Sequence, residues 1–247
     1  MDTVVGSFRR WWWRRGHRRF YRNQTGRTDL FVATNPYALN AGSREAFDSL
    51  ITGLREIVEP LAKDVVLDLG GGNGYVSAEL FGACRKVVVL DLCRPPGELR
   101  SSFVLADMQA PPFRAGAFTK LFSYSTFPCV GSTTAARTML DVWDRLLAPN
   151  GVLFIGDIPD RSKLTTMLAR GLSKVASANG LKYYFAVSMI STFSRNTLKR
   201  HLESIGYEVT LINQPPTRRF YRERFDLLAH KHAPGCSSGY QTEFSVR

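Results

Sequence analysis

From residue 43 onward the hydrophobic positions switch between two spacings. SREAFDSLITGLREIVEPL places Phe47, Leu50, Ile51, Leu54 and Ile57 at helical intervals, which predicts a helix starting at Ser43 and stopping at Pro60. Five short apolar runs follow: VVLDL at 65–69, KVVVLDL at 86–92, SFVLADM at 102–108, KLFSYS at 120–125 and GVLFIGD at 151–157. Helical patterns at 75–84 and 133–147 separate some of them. The 93–101 and 109–117 connections carry proline and glycine, so the helix between the third and fourth strands is short or missing. SRNTLKRHLESIGYEVTLI predicts a capped helix, a glycine stop and a sixth strand, and FDLLAHK a seventh. Apolar runs without alternation suit strands buried on both faces. The pattern therefore predicts an α/β fold, with seven strands in a mostly parallel sheet and helices on both faces.

Four glycines crowd the turn after the first run, in DVVLDLGGGNG. Glycine is costly to order, so such a cluster marks a close approach of backbone to something else. A strand ending near Asp68, then Gly70, Gly72 and Gly74, then a helix, is a Rossmann-like ligand turn at the carboxyl edge of a sheet. Asp91 ends the second run, where a carboxylate can accept from both hydroxyls of a ribose. Asp107 ends the third, where an acid can accept from an adenine amino group. No lysine or arginine sits between Gly70 and Gly74, which disfavours a phosphate-bearing ligand. The glycines also fall as G-x-G-x-G rather than the G-x-G-x-x-G of dehydrogenases.

On these residues the chain resembles the class I S-adenosylmethionine-dependent methyltransferases, from Ser43 to Lys231. DLGGGNG matches the D/E-x-G-x-G-x-G motif of that family, and VLDL and LADM match its acidic strand ends. RLLAPNGVLFIGD is similar to its approach to strand five, and IGYEVTLI with RFDLLAHK to its C-terminal antiparallel hairpin. The resemblance implies S-adenosylmethionine as cofactor, held by Asp68, Gly70, Gly71, Gly72, Asn73, Gly74, Asp91, Leu92, Asp107, Met108 and Ser123. Gly70 and Gly72 would pass the methionine part, Asp91 and Leu92 the ribose, and Asp107 and Met108 the adenine. Ser123 would lie towards the sulfonium. Two positions depart from the family: Thr119 stands where an aspartate is frequent, and Pro149-Asn150-Gly151 replaces Pro-Gly-Gly. Asn150 is an acceptable residue for a left-handed turn.

The acceptor is less legible. Asp157 is open to two readings: acceptor orientation or general base at the carboxyl end of strand five, or a cap on the next turn. His201 shares a helix with Leu198, Leu202 and Ile205, which suits packing. Cys129, in FPC, lacks the acidic neighbour of cysteine-using base methyltransferases and reads as structural. The Asn/Asp-Pro-Pro-Tyr motif of enzymes that methylate exocyclic amines is absent, and Ser123-Tyr124-Ser125-Thr126 stands in its place. Residues 159–192 form a basic, aromatic substrate cover, suited to a sugar, a sugar phosphate or an aromatic acceptor. The expected function is methyl transfer to a small-molecule hydroxyl on a sugar or secondary metabolite. The alternatives are an RNA methyltransferase and a non-catalytic binding protein on the same fold.

Charge adds one feature. The 33 Lys and Arg against 21 Asp and Glu leave a formal net charge of +12. FRRWWWRRGHRRFYR, at 8–22, concentrates the excess in an arm of residues 1–30. Its tryptophans suit peripheral contact with an anionic membrane, and its arginines also suit nucleic acid; a solvated extension is the third reading. Residues 35–42 (NPYALNAG) are positioned to fold over the cofactor as a lid. Residues 31–232 read as one methyltransferase domain and 233–247 as a disordered tail. The four cysteines form no CxxC pair, no run of about 18 apolar residues exists, and WWWRRGHRR follows the twin arginines where an export signal needs apolar residues. These features predict a cytoplasmic protein with reduced thiols.

Overall fold

The computed structural model describes residues 43–94, 101–173, 190–218 and 220–233. The predicted arm, residues 35–42, residues 174–189 of the predicted cover and the tail beyond 233 lie outside these.

Helix α1 (Arg44–Val58) begins as expected: Ser43 Oγ accepts from Ala46 N, satisfying one orphan donor of the first turn. It buries Phe47, Leu50, Ile51, Leu54 and Val58. The helix stops at Glu59, whose φ of 45° is left-handed, because the following Pro60 disfavours the helical region for its predecessor. Strand β1 (Val65–Leu69) then leads through the glycine turn into α2 (Tyr75–Phe81). After α2 come β2 (Lys86–Asp91), β3 (Ser102–Leu105) and β4 (Phe118–Tyr124). No helix joins β3 to β4, as the proline-bearing connection implied. Helix α3 (Thr133–Leu146), capped by Ser132, runs into β5 (Leu147–Pro159). A short 3-10 turn and α4 (Leu164–Ser173) follow, and α5 (Arg195–Ser204), β6 (Tyr207–Asn213) and β7 (Arg224–Lys231) complete the described fold.

The seven strands lie in the order β3-β2-β1-β4-β5-β7-β6. The first five are parallel, and β7 inserts antiparallel between β5 and β6. Alternation of side chains divides the core between the two faces. Leu67, Leu121, Leu153 and Ile155 pack with α3 and α5 around the fully buried Trp143. Val66, Phe122 and Phe154 pack with α1 and α2 around Phe47 and Phe81. Burying each such side chain contributes about 1.5–3 kcal/mol, and both sheet faces must be covered for these uninterrupted apolar runs to be stable.

Three boundaries differ from the sequence expectation. Strand β3 stops at Leu105, so Asp107 and Met108 belong to the turn beyond it. There Asp107 Oδ1 accepts from Gln109 N at 2.9 Å, a local bond that competes with strand pairing. Strand β5 begins before its apolar run, and Asn150 takes the anticipated left-handed conformation, with φ 59°. It also continues to Pro159, so Asp157 lies inside the strand rather than at its end. Two residues, Gly156 and Asp157, face only Asp226 of β7, because pairing jumps from Ile155–Leu227 to Ile158–Phe225. This is a β-bulge, and it turns Asp157 to a φ of 62°.

Candidate active site

The glycine turn bridges β1 and β2. Gly70 N and Gly71 N both donate to Leu90 O, at 2.7 and 3.3 Å, which folds the turn back over the end of β2. Gly72 N donates to Asp91 Oδ2 at 3.0 Å, and Cys93 N to Asp91 Oδ1 at 2.9 Å. Asp91 is thereby fixed in orientation by backbone donors on both oxygens. Gly70, Gly72 and Gly74 all have positive φ, between 60° and 78°.

Space around the turn is scarcer still. A Cβ on Gly70 would lie 2.4 Å from Thr126 Cγ2 and 3.6 Å from Met108 Sδ, so the turn touches both the β3 and β4 exits. A Cβ on Gly71 would lie 2.1 Å from Asp68 Oδ2. Asn73 Oδ1 accepts from Tyr75 N and steadies the first turn of α2. Ser123, fully buried, donates from Oγ to Leu69 O at 3.0 Å and bonds Thr126 Oγ1. Trp143 Nε1 donates to Met108 O at 2.7 Å, tying the turn after β3 to the core. Asp68, the glycine turn, Asp91 with Leu92, Asp107 with Met108, and Ser123 thus stand on one edge of the sheet, at the carboxyl ends of β1 to β4.

Asp68 is buried, and burial pushes its carboxyl up to about 7; Ser77, which donates Oγ to Asp68 Oδ2, pulls against this, and the charge of Asp91 adds to it. A folded pKa above the unfolded value of about 3.9 means that the folded state holds the extra proton. The stability from Asp68 is then fully present below about pH 4 and is lost as pH rises towards 7. Asp68→Asn removes that loss. Relative to wild type, the variant should gain on the order of 2–4 kcal/mol between pH 4 and pH 7 in urea unfolding without ligand. An unchanged difference between the two proteins at both pH values would mean that Asp68 does not titrate there.

Asp157 sits at the far side of the same edge. It is fully buried, ion-paired with Arg224 Nη1, and accepts from Ser125 Oγ at 2.7 Å and Gln214 Nε2 at 3.4 Å. Its own N–H donates to Asp226 Oδ1 at 2.8 Å, and Asp226 pairs with Arg218 Nη1 at 2.7 Å. Burial raises the carboxyl of Asp157, and Arg224 and Ser125 only partly counter it. The sequence leaves Asp157 open to acceptor orientation, general base or a turn cap; in the structure it lies behind Ser125, a half-buried residue in left-handed backbone with φ 59°. The sequence does not single out its neighbours Ser125, Gln214, Arg218, Arg224 and Asp226. A faint signal existed for the last two, because Arg224 and Asp226 are charges inside an otherwise apolar strand.

His201 lies mostly buried on α5, with Nε2 2.8 Å from Asp141 Oδ1, away from this edge. Burial pushes the Cys129 thiol up to about 12, which leaves it unreactive at neutral pH. Thr119 does not leave a gap where the family has an acid: its Oγ1 donates to Asp64 Oδ1 at 2.8 Å and accepts from Val65 N.

Residues 67–155 match the family profile described as a methyltransferase domain. That matched segment carries the glycine turn and the strand ends on which the chain resembles the class I S-adenosylmethionine-dependent methyltransferases. Solved methyltransferases share its fold at low sequence identity. N-methyltransferase NodS from Bradyrhizobium japonicum, crystallised with S-adenosylhomocysteine, is 15% identical, with a TM-score of 0.55 over 88% of this chain and 98% of its own. The 1,6-didemethyltoxoflavin-N1-methyltransferase of Burkholderia thailandensis is 17% identical, with a TM-score of 0.51 over 83% and 81%. A geranyl diphosphate methyltransferase is 13% identical, with a TM-score of 0.52 over 75% and 78%. No curated protein sequence matches the chain. The methyltransferase turn fits its cofactor on the structure's own terms: Gly70 and Gly71 leave no room for a side chain, and Asp91 is held at the strand end beside them.

Proposed function

We propose that this methyltransferase acts on a hydroxyl group of a small molecule, a sugar or a secondary metabolite. The observation that carries the reading is the Ser125–Asp157 pair, Ser125 just past β4 and Asp157 at the bulge inside β5. When bound, S-adenosylmethionine supplies an electrophilic methyl group on a positively charged sulfur. Everything else falls to alignment, exclusion of water and handling of one proton. A neutral amine is nucleophilic enough to attack before its proton leaves, whereas a hydroxyl becomes so only as its proton is taken.

Ser125 Oγ can take that proton while its own passes to Asp157 Oδ2. Asp157 suits this task because burial raises its affinity for protons, and Arg224 still lets it start as the anion. Two side-by-side non-glycine residues in left-handed backbone, Ser125 and Asp157, also fit a site where strain is held for function. Two of the similar structures hold small molecules, 1,6-didemethyltoxoflavin in one and GPP in the other, which supports a small acceptor.

Label from S-adenosyl-[methyl-³H]methionine should enter a metabolite extract and not total RNA. Ser125→Gly keeps the left-handed backbone and removes the hydroxyl. It should lower kcat by about 100-fold or more, the usual contribution of positioned proton transfer, with S-adenosylhomocysteine affinity unchanged. Label in RNA, or an unaltered kcat in Ser125→Gly, would overturn the proposal.

A further inference from the structure

A cleft of 520 Å³ opens on the same edge, between the turn after β5 and the β6–β7 connection. Three cations, Lys163, Arg195 and Arg222, and one carboxylate, Asp160, line it. Arg195 is committed: its Nε pairs with Asp160 Oδ2 at 2.6 Å, and its Nη1 donates to Asn213 Oδ1 at 2.7 Å. Lys163 and Arg222 are not. Among the described residues, no carboxylate stands within ion-pair distance of either. Arg222 is held in place by Tyr221, whose Oη accepts from its Nε at 2.7 Å.

Gln214 adds a second, independent mark. It lines the cleft, is 4% exposed, and its Nε2 donates to Asp226 Oδ1 at 2.8 Å and towards Asp157 Oδ1 at 3.4 Å. Those partners are carboxylates, which only accept, so the amide orientation follows from them. Its Oε1 is therefore the acceptor end, and it has no partner among the described residues. Buried acceptors are nearly always satisfied, and this oxygen is itself closed to solvent, so a donor entering the cleft reaches it only when the Gln214 side chain shifts towards the opening.

We propose that this cleft binds a phosphate monoester that also carries a hydroxyl or amino donor. The phosphate sits on Lys163 and Arg222, and the donor bonds Gln214 Oε1. This deepens the acceptor reading and rests on it for the role of the bound molecule: the phosphate is the far handle of the acceptor. The strand order supports such a span. Three strand spacings of about 4.8 Å separate β4 from β6, so the cleft lies roughly 14 Å from the β4 exit along the edge. Gln214 joins the two regions, since the same side chain lines the cleft and reaches Asp157.

The test uses the full chain with S-adenosylhomocysteine bound and titrates glucose 6-phosphate, glucose and inorganic phosphate by calorimetry. Glucose 6-phosphate should bind at least tenfold tighter than glucose, and more weakly as salt rises. The double variant Lys163→Glu, Arg222→Glu should lose at least tenfold of that affinity while keeping its S-adenosylhomocysteine affinity. If the double variant fails to fold, Lys163→Gln and Arg222→Gln carry the same expectation singly. Vesicles containing phosphatidic acid that bind and are displaced by glucose 6-phosphate support the site with a lipid-borne phosphate. Equal glucose 6-phosphate affinity in wild type and variants, or retention of RNA or vesicles without any binding of glucose 6-phosphate, overturns it. Failure here leaves the label-transfer result intact, so the cleft and the acceptor hydroxyl are judged separately.

Discussion

Gly71→Ala should lower S-adenosylhomocysteine affinity by about 100-fold and destabilise the fold. The added Cβ would lie 2.1 Å from Asp68 Oδ2, 2.5 Å from Asp68 Cγ and 2.9 Å from Val89 Cγ1. None of these can retreat easily, because Asp68 is buried against Ser77 and Val89 is buried in β2. The turn must move instead, and it carries Gly72 N away from Asp91. A shift of about 1 Å in a positioning element costs on the order of 100-fold, and overpacking adds about 1–3 kcal/mol of instability. Gly116→Ala is the control: it has positive φ, nothing within 4 Å of the added Cβ, and a place outside the turn. It should cost roughly 1 kcal/mol of stability and leave ligand affinity alone. Calorimetric titration of both variants checks this, and equal affinities for the two would refute the close-approach account of the turn.

The second large effect lies in the buried charges. Arg224→Met should destabilise the protein by about 3–5 kcal/mol, because it strands the Asp157 carboxylate without its cation in the interior. Asp157→Asn in the same background should recover most of the loss, since an amide needs no counter-charge. Asp157→Asn alone leaves Arg224 unpaired and should also destabilise. Urea unfolding of the four proteins forms a double-mutant cycle. A coupling energy near zero would mean that Arg224 and Asp157 do not depend on each other.

What sequence reading captured, and what it lost, follows from the range of the interactions concerned. The glycine turn was legible because its parts are local: Asp68, Gly70 to Gly74 and the start of α2 span only a few residues, and the motif states the close approach directly. Asp91 was legible because a short apolar run ends there. Asp107 was placed at a strand end and lies in the turn after it, because a hydrogen bond two residues ahead ended the strand early. Ser125 carried no mark at all, since nothing in STFPC reveals left-handed backbone.

The order of apolar runs, the helix caps at Ser43 and Ser194, and the glycine cluster by themselves determined the α/β class, the strand count and the sheet edge that carries the glycine turn. They could do so because a buried strand, a capped helix and a side-chain-free turn are each written in a contiguous stretch of residues. The surroundings of Asp157 were decided only by tertiary structure. Its partners Gln214, Arg224 and Asp226 lie 57 to 69 residues away, and they meet it only because β7 inserts antiparallel between β5 and β6 and forces a bulge at Gly156 and Asp157. The cleft is of the same kind, drawing Lys163 from one connection and Gln214 and Arg222 from another. No local spacing encodes such a meeting; the free energy of covering both faces of the sheet does.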